Sequence, residues 1–431
     1  MSAVAGGVIE LGEVPRETPT VVGADRLVPR RALLMLLSAL LVATTAAAAP
    51  LPALGRPTIV PARLGDTMFL DGRRMLLVSG SATLVSQISR RVVRAYDLPS
   101  TRLVSTTTVT VSGGINQVLP AGDTVVVSYQ VDASGTWATV AVAEGTEQTR
   151  WRRTARLIAV SEADGQALLG TDEAVSAVDL RTGATRWRLP RPPDGYIAET
   201  GWDATNYPRW LVLLTDSGRL ESRDPHTGAL LATRAIPPRE GRANGLIWPV
   251  DDLVMADDGG PGFAAYRLPA LTPLWHTGAD LSSSWMQAAC GRLICTFRQQ
   301  RGLTAIDPAD GRELWENPDW AYAEPVGPYL LATRAERGVD EPGLWVIDPA
   351  TGRSRGNFGR WEYLAATGDG RFYGKLDVPG EFLVHYGILD PDTFTVRVLG
   401  TAADVSNSCQ AVAGLLICRL VDASVALWPL R

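Results

Sequence analysis

The segment Asp307-Pro-Ala-Asp-Gly-Arg-Glu-Leu-Trp315 constrains the fold more than any other stretch of the chain. Asp comes first, Gly four residues later and Trp eight residues later. The frame recurs as Asp179-Leu-Arg-Thr-Gly183-Ala-Thr-Arg-Trp187, and in part as Asp224-Pro-His-Thr-Gly228 and Asp348-Pro-Ala-Thr-Gly352. Pro after Asp presets the first turn residue, and Gly supplies the left-handed conformation that a short hairpin loop with a bulge requires. Alternating apolar runs such as Leu303-Thr-Ala-Ile306 precede the turn, so each copy joins two strands.

The anchor position falls at Asp97, Ala143, Asp179, Asp224, Arg267, Asp307, Asp348 and Asp390, at intervals of 46, 36, 45, 43, 40, 41 and 42 residues. A period near 40 built from short strands and Gly/Asp turns describes a four-stranded propeller blade; a helical repeat of that length would carry 3.6-residue periodicity, which is absent. One all-β ring of about eight blades over 57–431 is expected rather than two or three separate domains. Counting every unit gives nine, and the two earliest, at Asp97 and Ala143, are the most degenerate. The last segments, Cys409–Gly414, Leu415–Leu420 and Ser424–Trp428, read as three strands of a blade without a fourth. Pro57-Thr-Ile-Val-Pro-Ala-Arg63 is the candidate for the missing strand, closing the ring and removing its sheet edges.

Net charge is −5 over 431 residues, with no basic stripe, which argues against a nucleic-acid partner. Lys375 is the only lysine, and its surroundings do not suggest a Schiff base.

Residues 1–31 mix acids, arginines, Gly and Pro and read as a disordered cytoplasmic tail. From Ala32 to Leu54 there is no charge. A helix to Ala49 would be roughly 27 Å long, enough to cross a hydrocarbon core with slight thinning. Arg26, Arg30 and Arg31 orient it with the N-terminus inside. The reading adopted is a single-pass signal anchor at 32–54 in the plasma membrane, with the propeller extracytoplasmic. A signal peptide cleaved at Ala47-Ala48-Ala49, or one of twin-arginine type, is the competing reading. The four cysteines all follow this segment. Cys290 and Cys295 face each other across a tight loop, and Cys409 sits opposite Cys418 if Ala413-Gly414 is a two-residue turn. Two local disulfides are therefore expected, in keeping with an oxidising compartment; free thiols or a CxxxxC metal site is the alternative.

With these Asp-x-x-x-Gly-x-x-x-Trp units laid out, the chain resembles the PQQ-like (quinoprotein-type) β-propeller repeat family over roughly residues 57–431. That family includes quinoprotein dehydrogenases and the cofactor-free BamB-type scaffolds of outer-membrane assembly. The resemblance implies that Trp151, Trp187, Trp275 and Trp315 dock between blades. The dehydrogenase branch would imply a quinone, a calcium ion, a catalytic aspartate and commonly adjacent cysteines. This chain has no adjacent cysteines and no matching set of acids, so the BamB-like branch, without cofactor or catalysis, is the expectation. No lipobox cysteine lies near the start, and the tail is an addition to the BamB pattern.

Chemistry-bearing motifs are sparse. His226, His276 and His385 occupy different blade positions, which argues against a metal trio. Asp251-Asp252 and Asp257-Asp258-Gly259-Gly260 lack the alternating oxygen ligands of a calcium loop and read as turns. Trp248, Trp285, Trp320 and Trp361 each lie at the start of a blade-opening strand, 37, 35 and 41 residues apart, and Tyr322 and Tyr363 follow two of them by two residues. On axis-lining strands these six would form an aromatic collar for a sugar, a peptide or an aromatic group, inter-blade packing being the plainer reading. The functional expectation is a binding or scaffolding module with an envelope protein or glycan partner. A quinone-dependent oxidoreductase, or a ligand sensor signalling through the tail, is the alternative.

Overall fold

Alternating apolar strands of three to ten residues, separated by Gly- and Asp-rich turns, pair among the described residues into nine four-stranded antiparallel sheets, eight of them in chain order. The computed structural model describes residues 56–80, 88–193, 196–236, 246–257, 262–278, 281, 284–287, 290–299, 301–334 and 343–430. The tail at 1–31 and the anchor at 32–54 lie outside the described residues. Among those described, no helix is long and apolar enough to cross a membrane.

Blades 1 to 8 begin at Thr67, Gly114, Arg156, Tyr196, Ile247, Trp285, Trp320 and Glu362. First strands of consecutive blades adjoin one another, for example Tyr196–Thr200 against Ile247–Val250 and Glu362–Ala366 against Val405–Val412. They therefore ring the axis, and the fourth strands, such as Leu230–Ala235 with most of its residues exposed, lie outermost.

Nine blades replace the expected eight. The anchor turn joins the third strand of a blade to its fourth, and there are eight such turns. Blade 9 has none, because its strands Val405–Val412, Leu415–Leu420 and Val425–Pro429 take their fourth partner, Thr58–Val60, from the other end of the chain. Ile59 pairs with Ala426, flanked by Thr58 with Leu427 and Val60 with Val425. The units at Asp97 and Ala143 are complete blades, and blade 1 holds strands of nine and ten residues. Its repeat is degenerate because Ser105 stands where blades 2, 3, 5 and 6 carry Trp. Its hydroxyl donates to Glu144 in the next blade at 2.7 Å, and Arg74 also reaches Glu144, at 3.2 Å.

The anchor turn does two jobs. In each full copy the Gly amide donates to the Asp carbonyl, as Gly183 to Asp179 at 2.8 Å and Gly311 to Asp307 at 2.9 Å. The Asp carboxylate accepts amides of the turn, including Thr182 at 2.9 Å and Ala350 at 2.8 Å. The same Gly forms the seat for the Trp of the preceding blade. The indoles of Trp151, Trp187, Trp275 and Trp315 donate to the carbonyls of Leu180, His226, Pro308 and Pro349 at 2.8, 3.1, 2.7 and 2.7 Å. A Cβ on Gly352, whose φ is +64°, would lie 2.4 Å from the Trp315 ring. Both backbone conformation and close approach therefore demand Gly there. The docking role that the family resemblance implied for these four tryptophans is realised.

Apolar side chains fill the spaces between neighbouring blades, and the cysteines pair locally as Cys290–Cys295 and Cys409–Cys418. Val412 pairs with Leu415 around Ala413-Gly414, both with positive φ, which is the two-residue turn that sets Cys409 against Cys418.

Candidate functional site

Equivalent places in the repeat lead to different environments for the six collar residues. Trp285 and Trp320 open the first strands of blades 6 and 7, Trp248 is second in that of blade 5, and Trp361 immediately precedes that of blade 8. Trp320 is only 2% exposed; its indole donates to the Gly352 carbonyl at 2.8 Å, and its ring lies 5.7 Å from that of Trp345. It belongs to the packing between blades 6 and 7. Trp248 lies against Phe263 at 4.5 Å, packed on the core between blades 5 and 6. Trp285 stands out into solvent at 74% exposure, with Phe297 6.1 Å behind it.

The remaining three come together. Tyr322, Trp361 and Tyr363 line a half-open cavity of about 350 Å³ between blades 7 and 8, with Glu324, Leu331, Thr333, Leu344, Arg360, Glu362 and Asp377. Strand alternation explains one wall. Tyr322 and Glu324 share a face of Trp320–Val326, and their partners Thr333 and Leu331 share the same face of Tyr329–Arg334. Leu331 and Leu344 are buried in the core between these blades, and Trp361 and Tyr363 pack against it. The cavity is therefore where that interface widens towards the ends at which the first strands begin.

The electrostatics of the cavity are uneven. Lys375 is held between Glu362 and Asp377, 2.8 Å from each. Burial works against its charge, but the two carboxylates outweigh it and hold the ammonium above the usual lysine range. This triad forms a wall shared with a second hollow of about 380 Å³ between blades 8 and 9. Among the described residues Glu324 has no such partner. Burial alone pushes its carboxyl up from the ordinary glutamate value. Burial and then the Glu324 charge raise the Tyr322 phenol; burial, Glu324 and Tyr322 raise that of Tyr363. Glu324 and the two phenols thus feel one another, while Arg360 is exposed at the rim.

The histidines serve elsewhere. His226 Nδ1 lies 2.8 Å from the Asp164 carboxylate, and its ring is 4.8 Å from that of Tyr207. Gln166 donates to the Tyr207 hydroxyl at 2.9 Å, which completes a polar clasp between blades 3 and 4. His385 Nδ1 is 2.8 Å from the Thr401 hydroxyl. Among the described residues no group of three or more His, Cys, Asp or Glu is placed to hold a metal ion. Asp251 and Asp252 form the two-residue turn between Val250 and Leu253. Sequence reasoning missed Glu324, whose signal was its place two residues beyond Tyr322 on a strand of known register.

The family model described as "Outer membrane protein assembly factor BamB" matches residues 89–317, just over half of the chain. Among solved structures, BamB from Moraxella catarrhalis aligns at 16% identity over 86% of this chain and 99% of its own, with a TM-score of 0.40. The dihydro-heme d1 dehydrogenase NirN in complex with DHE aligns at 14% over 82% and 78%, with a TM-score of 0.39. A eukaryotic initiation factor aligns at 10% over 80% and 92%, with a TM-score of 0.50, a likeness of fold. No curated protein matches the sequence.

Proposed function

Because the chain belongs to the family of the outer membrane protein assembly factor BamB, we propose that it is a binding and scaffolding propeller of a cell envelope. In this reading, residues 32–54 hold it in the plasma membrane, the ring faces outward, and it performs no chemistry of its own. The observation that carries the reading is the half-open cavity between blades 7 and 8. It offers three aromatic side chains and a carboxylate that has no partner among the described residues, a combination suited to holding a ligand. Two local disulfides on the propeller agree with a position on the oxidising side of the membrane.

Capture of the full-length protein from mild-detergent membranes, with mass spectrometry of its partners and of its own N-terminus, tests this. The expected result is a fixed envelope protein recovered with a chain that still carries residues 1–31. A chain that begins near Pro50 and is recovered alone would overturn the anchored scaffold. Alcohol oxidation after incubation with a quinone and calcium would overturn the non-catalytic part.

A further inference from the structure

We infer that the cavity between blades 7 and 8 binds an organic cation, an alkylammonium or quaternary ammonium group, caged by Tyr322, Trp361 and Tyr363 and neutralised by Glu324. The inference rests on the binding role proposed above and names its ligand. The cavity lies beyond residue 317, outside the segment that the family model matches.

Three observations converge on a cation. Aromatic rings come from two blades, Tyr322 from one and Trp361 and Tyr363 from the other, so their side chains flank the space rather than stack into a single wall. Ring faces of Tyr and Trp attract a positive charge, more strongly once it is desolvated. Among the described residues, the Glu324 carboxylate lines the same space with no hydrogen-bond or ion-pair partner, and partial burial is what raises it. A carboxylate partly withdrawn from water without a partner is less well solvated than a free one, and an incoming ammonium group supplies the missing charge. The other acids of the lining are already engaged, Glu362 and Asp377 both holding Lys375. Among the described lining residues, an anionic ligand would find only Arg360, which is exposed, and would meet the carboxylate of Glu324. A volume of about 350 Å³ takes an ammonium head with its alkyl stem but leaves no room for a folded chain.

The same chemistry has two sources, a lysine side chain of an envelope protein or a free quaternary ammonium compound. Titration of the full-length protein in non-ionic detergent, followed by calorimetry, distinguishes them. The probes are choline, its neutral isostere 3,3-dimethylbutanol, and Nα-acetyl-lysine methylamide. Choline or the lysine amide is expected to bind at least ~10-fold more tightly than the neutral isostere, and the tighter of the two identifies the source. Glu324→Gln should lose that preference and Tyr322→Ala should weaken it several-fold, whereas Trp285→Ala, on an exposed ring outside the cavity, should leave it intact. Thermal melts of each variant show whether it is folded. Equal affinity for choline and 3,3-dimethylbutanol, no binding of any probe, or an unchanged preference in folded Glu324→Gln would overturn the inference. Because the probes are read on purified protein, a bound cation with no captured partner would remove the scaffold and keep the cavity. A captured partner with no bound cation would do the reverse.

Discussion

Glu324 sits mid-strand at a position where alternation turns its side chain, with that of Tyr322, towards the neighbouring blade. The groups around it are Tyr322, Tyr363, Arg360, Glu362 and Asp377. Burial raises its folded-state pKa above the unfolded value, so the sign of its effect on stability follows. Below the unfolded pKa the group is neutral in both states and has no effect. As pH rises the unfolded chain ionises first, and stability falls until the folded group has ionised as well. Glu324→Gln should therefore raise the melting temperature at neutral pH and converge with the native protein in acid. A difference that stays constant from acid to neutral pH, measured by circular dichroism, would refute this. The turn residue Asp179 behaves oppositely. The Arg186 guanidinium, then the Thr182 amide, depress its carboxyl to about 2, so its contribution is present above the ordinary Asp range and is lost as pH falls towards that value.

Between single residues and the whole ring lies the Trp-on-turn joint that links one blade to the next. Gly352→Ala would place a methyl group against the Trp315 ring on a backbone with φ +64°, at an expected cost of about 2–4 kcal/mol. Trp315→Ala should cost about 3–5 kcal/mol through lost burial and the cavity left behind. Combined, the two should cost less than their sum, because the methyl group introduced at position 352 then meets no indole. Denaturant unfolding of both single variants and the double variant checks this, and strict additivity would show that the contact is not shared. The joint also occurs inverted. Blade 7 carries Gly356 at the Trp position, and the blade 8 turn carries Phe394, φ +55°, at the Gly position. A Cβ on Gly356 would lie 2.5 Å from the Phe394 ring, so the aromatic group has moved to the opposite partner.

Across the whole molecule, ring closure depends on three residues from one end of the chain. Thr58–Val60 completes blade 9 and covers the edge of Val425–Pro429. Deleting residues 57–60 should leave that edge unpaired, lower the melting temperature and promote association by size-exclusion chromatography. A monomer with native melting behaviour would show that closure contributes nothing. The disulfides act locally, each closing a short loop worth roughly 2–3 kcal/mol by chain entropy.

Much of this architecture could be read along the linear chain. Strand type, the blade period, the closing segment at Pro57–Arg63 and both cysteine pairings depend on short-range patterns: alternation, turn chemistry and spacing along a strand of known register. Strict counting along the chain reaches nine, but the number of blades was obscured because the first two units depart from the repeat, Ser105 standing at the Trp position of one and Ala143 at the Asp position of the other. The aromatic collar was legible only as a periodicity. Trp285 and Trp320 hold the same place in their blades, yet one is exposed and the other buried, because the surroundings of a side chain come from the adjacent blade and not from its own strand. The cavity arises in the same way. Tyr322 and Glu324 face Trp361 and Tyr363 across an interface between units about 40 residues apart in the repeat, so only the tertiary packing of neighbouring blades could bring an unpaired carboxylate into an aromatic cage.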